Sequence, residues 1–269
     1  MAGTVILVGC GNMGFAMLKG WLASGAVQPA DVLVIEPKEA LRARAAEASV
    51  RTAATPDAIA GETADLVVIA VKPQVIRDVL PAYRPLAPKA AFLSVAAGIA
   101  IRTITDILGE STPVIRCMPN TPAAIGKGMM AVYPNALVSP EMMAFVNTLL
   151  SASGEVAVLE DESQMDAVTA VSGSGPAYVF HFIECLTAAA IKAGLSEPTA
   201  KLLAMQTVYG AANLAKESGE EPGRLREQVT SPNGTTAAAL AVLMGDNRLA
   251  NLIDEAVDAA RRRSIELGK

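Results

Sequence analysis

Along the first 160 residues, short and wholly apolar runs alternate with stretches in which apolar residues return at helical spacing. The runs fall at 4–9, 31–35, 65–71, 90–95, 113–118, 128–133 and 156–159, and they are rich in Val, Ile and Leu. A strand with one face in water alternates apolar and polar residues. These runs do not, which is the pattern of parallel strands covered by helices on both faces. The rhythm of strand, helix and strand predicts an α/β domain over residues 1–160, built on a doubly wound, mostly parallel sheet.

After Glu160-Asp161-Glu162 the strand signal disappears. Residues 161–269 read as helices separated by "SGSGP", "GLSEP", "ESGEEPG" and "TSPNG", so the second domain is predicted to be all-α. Ser196 stands where a helix cap belongs, with Pro198 in the first turn, and Pro222 precedes another helix. No internal repeat or low-complexity segment interrupts the chain.

Composition narrows the function. The chain has 269 residues, 52% of them hydrophobic and only 4% aromatic, enough for a sizeable core packed through small side chains. The apolar surplus points to a buried subunit interface. Basic residues number 22 against 27 acidic, for a net charge of −5, and no basic run exceeds Arg261-Arg262-Arg263. No field is offered to nucleic acid, so small molecules are the expected partners. Cys10, Cys117 and Cys185 stand far apart without CxxC spacing, which indicates neither a disulfide framework nor a zinc site and fits a reducing cytoplasm. "TVILVG" is too short for a signal core. The longest apolar stretch, 167–193, is broken by Gly173, Gly175 and Pro176 and carries Glu184, so no membrane span is expected.

The first strand runs into "GCGNMG". Gly9, Gly11 and Gly14 have G-x-G-x-x-G spacing between a strand and a helix that ends near Ser24-Gly25. A side chain at the second glycine would hold the backbone away from a pyrophosphate, and the third lets helix pack on strand. The helix start, with Asn12 and Met13, offers free N–H groups to phosphate. An ordinary glycine-rich turn gives the same spacing, but the context is that of a Rossmann-like dinucleotide site. Glu36 ends the second strand, 22 residues after Gly14, where a carboxylate meets the adenine-ribose hydroxyls of NAD and repels a 2′-phosphate. That favours NADH slightly over NADPH. Against it, Lys38 and Arg42 are near enough to neutralise a phosphate, and Glu36 could instead cap the helix that follows.

Later strand ends point at the same crevice. "AVKPQ" places Ala70, Val71, Lys72 and Pro73 there, with Lys72 either on a ligand or in solvent. "SVAAGI" contributes Ala96, Ala97 and Gly98, whose small size lets backbone approach a nicotinamide ring, and "RCMPNTP" contributes Asn120, the polar group expected nearest it.

Two glycine loops open helices in the second domain. In "TSPNGTT" a Pro-Asn-Gly turn frees N–H groups at a helix start beside the hydroxyls of Thr235 and Thr236. It reads either as a nest for a carboxylate or as a plain capped turn. "SGSGPAYVFHF" holds the only histidine, His181, in an apolar stripe with Tyr178 and Cys185. That placement reads as a packed or interface residue rather than an acid catalyst.

In this order and at these intervals, "GCGNMG", "AVKPQ", "SVAAGI", "RCMPNTP", "AVSGSGPAY" and "SPNGTT" resemble pyrroline-5-carboxylate reductase over nearly the whole chain. The resemblance implies reduction of 1-pyrroline-5-carboxylate to L-proline by NADPH or NADH, with hydride delivered to the imine carbon that becomes C5 of proline. It implies a helical domain that interlocks with a partner's in a homodimer, the dimers in many members assembling further into decamers of five. It places the substrate carboxylate on Asn233, Gly234 and Thr235, with Ser174 nearby, beneath the partner's helices. Thr236 becomes the catalytic candidate, its hydroxyl directed at the ring nitrogen. Asn233 replaces the commoner glycine, and asparagine tolerates the left-handed backbone such a turn needs.

The β-hydroxyacid dehydrogenases are the nearest rivals, and they need a lysine base one helical turn after the glycine loop. Here Ala177, Tyr178, Val179, Phe180 and His181 occupy those positions, and no lysine follows until Lys192. An imine nitrogen takes its proton from water, so its reduction needs orientation more than a strong base. A dehydrogenase or imine reductase acting on another small acid, and a non-catalytic NAD(P) sensor, are the other readings.

Overall fold

The structure is a computed structural model that describes residues 3–268. Its strands are β1 Val5–Val8, β2 Val32–Ile35, β3 Arg51–Ala53, β4 Leu66–Ile69, β5 Ala91–Ser94, β6 Val114–Met118, β7 Gly128–Pro134 and β8 Gly154–Val158. They form one sheet in the order β3-β2-β1-β4-β5-β6-β7-β8. Every ladder is parallel except β6 with β7. Those two are joined only by a turn of 3-10 helix, Thr121–Ile125, too short to carry a parallel crossover. The doubly wound, mostly parallel sheet is therefore as the apolar runs predict. Each run holds one strand; β3 is the one they omit, a three-residue edge strand of sequence RTA with no buried residue.

Helices α1 Asn12–Ser24, α2 Glu39–Ala46, α3 Ile76–Val79, α4 Ile101–Leu108 and α5 Pro140–Ser151 accompany the sheet. Alternate residues of each central strand serve opposite faces. Val5, Leu7, Val32 and Val34 join Leu18 and Trp21 of α1 and Leu149 of α5 in one core. Ile6, Val8, Leu33 and Ile35 join Ile76 of α3 and Ile104 of α4 in the other. Both faces are buried, which is why these strands carry no polar alternation. Each such side chain contributes about 1.5–3 kcal/mol. The order of connection reverses at β1, which has β2 on one side and β4 on the other, and a ligand crevice opens at the carboxyl ends of such strands.

Beyond β8 lie α6 Met165–Val168, a π-helical turn Thr169–Gly173, α7 Gly175–Lys192, α8 Glu197–Ser218, α9 Pro222–Gln228, α10 Thr235–Met244 and α11 Arg248–Leu267. The chain forms two compact units, one running to Ser174 and taking up the chain again from Ala260, the other Gly175–Ala259. The sequence boundary expected after residue 160 precedes the compact one because Met165 and Ala170 are buried in the first unit. The last turns of α11 belong there too, where the Ser264 hydroxyl donates to Asp166 at 2.6 Å.

The second unit is all helix. Pro198 stands in the first turn of α8 and Pro222 opens α9. Ser196 occupies the cap position of α8, but its hydroxyl pairs with that of Thr199 at 2.8 Å and not with a backbone N–H. Among the described residues this unit buries Ala200 and Ala204, while Phe180, Phe182, Leu202, Met205, Tyr209 and Leu252 stay exposed. So many exposed large apolar side chains in one helical unit fit a surface made for association. Among the described residues, no helix is long and apolar enough to cross a membrane.

Candidate active site

Each glycine of the first loop has its own physical reason. Gly9 adopts φ 88°, and a Cβ there would lie 2.8 Å from the Ala70 carbonyl oxygen at the end of β4. A Cβ on Gly14 would run into the carbonyl oxygen of Gly9, so α1 packs this close only with glycine. Around Gly11 nothing lies within 4 Å of an added Cβ; its space is open to a ligand. The Phe15 N–H bonds the Gly11 carbonyl at 2.9 Å. The N–H groups of Asn12, Met13 and Gly14 in the first turn of α1 therefore have no helical acceptor and suit an anion.

Glu36, at the end of β2, is 5% exposed. Its carboxylate accepts the Cys10 N–H at 2.8 Å and the Lys38 N–H at 2.9 Å. One oxygen thus ties down the glycine loop, while the other holds the residue that precedes α2. Arg42 donates to the carbonyls of Glu36 and Pro37 at 2.8 and 3.1 Å. Above these residues opens a cavity of about 670 Å3, walled by Gly9, Gly11, Glu36, Lys38, Val71 and Lys72. Thr55, Asp78 and Tyr83 also line it, contributions that no sequence motif marked. Lys72 is exposed at its rim, next to Pro73 in the turn after β4.

One carboxylate joins the start of α4, after β5, to strand β6. Glu162 Oε1 accepts the Ile101 N–H at the start of α4 at 2.8 Å and Arg116 Nη1 at 3.1 Å. Between β5 and α4, Ala96 is buried, Ala97 half-buried, and Gly98 takes φ 76°. A Cβ on Gly98 would lie 3.4 Å from backbone atoms of Leu267 and Gly268. That is ordinary contact, so the left-handed backbone is what favours glycine at 98. Asn120 spends its amide internally, donating to the Ser172 carbonyl at 3.1 Å and accepting the Met129 N–H at 2.9 Å. Gly173 packs on Met118, where a Cβ would collide with the methionine methyl, and half-buried Ser174 follows it.

In the second unit, Asn233 has φ 59°, the left-handed backbone the turn requires. Gly234 precedes α10, and a Cβ there would strike the Ser231 hydroxyl. Its carbonyl accepts the Ala238 N–H at 3.1 Å, which leaves the N–H groups of Thr235, Thr236 and Ala237 without helical acceptors. Thr235 is exposed and Thr236 half-buried. His181 is not packed within the chain, contrary to one form of the expectation. Its side chain is 76% exposed and meets Glu184 at 3.1 Å, because α7 buries no residue in the single chain.

Two partners of the site escaped the sequence reading. Arg44 donates to the carbonyls of Cys10 and Gly11, and Glu162 ties the start of α4 to β6. Neither lies in a motif.

Known proteins resemble this chain from end to end. The family model described as pyrroline-5-carboxylate reductase dimerisation matches residues 162–267, and that of NADP oxidoreductase, coenzyme F420-dependent, matches 4–98. A pyrroline-5-carboxylate reductase of Pseudomonas aeruginosa is 42% identical over 266 residues, covering 98% of this chain and 97% of the relative. The structure of such a reductase from Coxiella burnetii superposes with a TM-score of 0.94 at 33% identity, covering 100% of both chains. A Plasmodium falciparum pyrroline carboxylate reductase with NADP bound gives 0.86 at 29% identity, covering 99% of this chain and 98% of that one. With a glycine loop and an Asn-Gly turn folded as its motifs require, and with identity of this extent along its whole length, the chain belongs to the pyrroline-5-carboxylate reductase family.

Proposed function

We propose that this chain catalyses the reduction of 1-pyrroline-5-carboxylate to L-proline with NAD(P)H. The observation that carries the reading is full-length relatedness to a reductase of that name at 42% identity, in a chain whose two glycine turns each free backbone donors. The cofactor fits the residues present. Open space at Gly11, the unpaired N–H groups of Asn12, Met13 and Gly14, and the cavity beside Glu36 match a dinucleotide in size and charge. When bound, the nicotinamide would supply the hydride that reduces the ring C=N bond, at the carbon that becomes C5 of proline.

The protein's own residues bind and orient. Asn233, Gly234 and Thr235 hold the substrate carboxylate at the start of α10, with Ser174 as a further contact, and Thr236 directs its hydroxyl at the ring nitrogen. Ala96, Ala97, Gly98 and Asn120 shape the nicotinamide side. No lysine base is required, because water protonates the imine before hydride arrives.

NADH is the favoured form by a modest margin. The Glu36 carboxylate stands in the cavity wall, where its charge opposes a 2′-phosphate, and Arg42 already spends Nη1 on backbone carbonyls. Lys38 reduces the margin. The relative crystallised with NADP fits a family that accommodates both forms. The exposed apolar helices of the second unit suit a homodimer, and dimers can assemble into a decamer. Three free cysteines suit the cytoplasm.

Following NADH or NADPH oxidation on addition of pyrroline-5-carboxylate tests the activity, with a hydroxyacid and buffer as controls. Turnover only with the imine supports it, and turnover with the hydroxyacid overturns it. A kcat/KM several-fold higher for NADPH would remove the role given to Glu36.

A further inference from the structure

The peptide groups around Cys10 are gripped by side chains on both sides. Its N–H goes to Glu36 Oε2 at 2.8 Å. Its carbonyl accepts Arg44 Nη2 at 3.0 Å, and the same nitrogen reaches the Gly11 carbonyl at 3.3 Å. The Arg44 guanidinium also lies over the Phe15 ring of α1, 4.0 Å from its centroid. One arginine of α2 is therefore joined to the loop and to the helix the loop opens.

The consequence follows from peptide geometry. A trans peptide is planar, with its C=O and N–H pointing in opposite directions. The Cys10 carbonyl shares a plane with the Gly11 N–H, and the Gly11 carbonyl shares one with the Asn12 N–H. Holding the Cys10 carbonyl toward the guanidinium turns the Gly11 N–H the other way, and the Gly11 carbonyl, shared between Arg44 and the Phe15 N–H at 2.9 Å, fixes the Asn12 N–H in the same manner, beside the open space around Gly11. The cation also offsets the negative ends of two carbonyls that would otherwise repel an approaching anion.

We infer that Arg44 is a positioning residue for the cofactor: it does not touch the ligand, but orients the Gly11 and Asn12 N–H groups toward the pyrophosphate. The inference rests on the cofactor reading above and extends it to a residue outside the glycine motif.

The test is equilibrium binding of NADH and of NADPH to the wild type, Arg44→Met and Arg44→Lys, with steady-state kinetics on the same preparations. Methionine keeps an apolar stem against Phe15 and removes the donors. It should weaken both cofactors by the same factor, about 5- to 30-fold, since the pyrophosphate is common to them. At saturating NADH its kcat should stay within twofold, with KM for the imine unchanged. Lysine, which restores a cationic donor, should recover part of the loss, and it carries the test by itself if the methionine variant does not fold. Unchanged affinity in the variants, a loss confined to NADPH, or a fall in kcat at unchanged cofactor affinity would each overturn the inference. Wild-type protein that binds neither nucleotide would overturn the cofactor reading, and the inference with it.

Discussion

Arg116 in the middle of β6 and Glu162 at the start of the 3-10 turn that follows β8 form an ion pair of 3.1 Å whose side chains are 9% and 27% exposed. The same carboxylate oxygen accepts the first N–H of α4. One group thereby joins the strand that leads to Asn120 with the helix that follows Gly98.

Breaking this pair should cost more than breaking a surface bridge. Glu162→Gln leaves the Arg116 charge nearly buried without a counter-charge. Fully buried pairs lose about 3–5 kcal/mol on such a change, and the partial exposure of Glu162 lowers the expectation to about 1–3 kcal/mol. Thermal unfolding should then start several degrees lower, and the double variant Arg116→Met/Glu162→Gln should recover part of the loss. A melting curve equal to wild type would contradict this account of the pair.

The glycines of the first loop should separate stability from binding. In Gly14→Ala the new methyl meets the Gly9 carbonyl oxygen, and overpacking of this kind costs about 1–3 kcal/mol. In Gly11→Ala the methyl enters open space, so unfolding should match wild type while NADH affinity falls at least tenfold. Chemical denaturation alongside cofactor titration distinguishes the two, and equal destabilisation by both substitutions would contradict the assignment.

Thr236→Ala should lower kcat/KM for the imine by up to tenfold without abolishing it. One neutral hydrogen bond is worth about 0.5–1.5 kcal/mol. An unchanged kcat/KM would remove the hydroxyl from the reaction.

Stability should fall in alkali. Burial pushes the Cys117 thiol from 9.0 up to about 12 and the Cys10 thiol up to about 11, the latter against the pull of Arg44. Burial raises the Tyr83 hydroxyl too. The folded state holds these protons more tightly than the unfolded chain. Their contribution is therefore complete below about pH 9 and lost as pH climbs toward 11 and 12, by up to about 1.4 kcal/mol per pH unit per group. Urea midpoints at pH 8 and pH 10.5 measure the slope, and Cys117→Ala should flatten it. A midpoint independent of pH over that range would show that the thiols ionise freely in the folded protein.

What the sequence made legible was local. Parallel strands buried on both faces declare themselves as apolar runs, and the Gly9-x-Gly11-x-x-Gly14 turn depends on residues within a few positions of one another. The strand β3 was missed because RTA at a sheet edge buries nothing and needs no apolar run. Arg44 and Cys10 are 34 positions apart, and Glu162 and Ile101 are 61 apart; neither pairing has a spacing rule. Gly98 was read for a ligand's approach through its small size; its left-handed φ of 76° is a second reason for glycine, which spacing alone does not display. Glu36 was legible as a carboxylate at the end of β2, while its bond to the Cys10 N–H required the folded loop.

The central claim is that this chain delivers hydride to the imine carbon of pyrroline-5-carboxylate. Turnover with NADH deuterated at the transferring position, followed by NMR of the amino acid formed, tests it most directly. The account predicts L-proline carrying one deuterium at C5 for each NADH oxidised. Proline without deuterium at C5, or NADH oxidation that yields no proline, would contradict it.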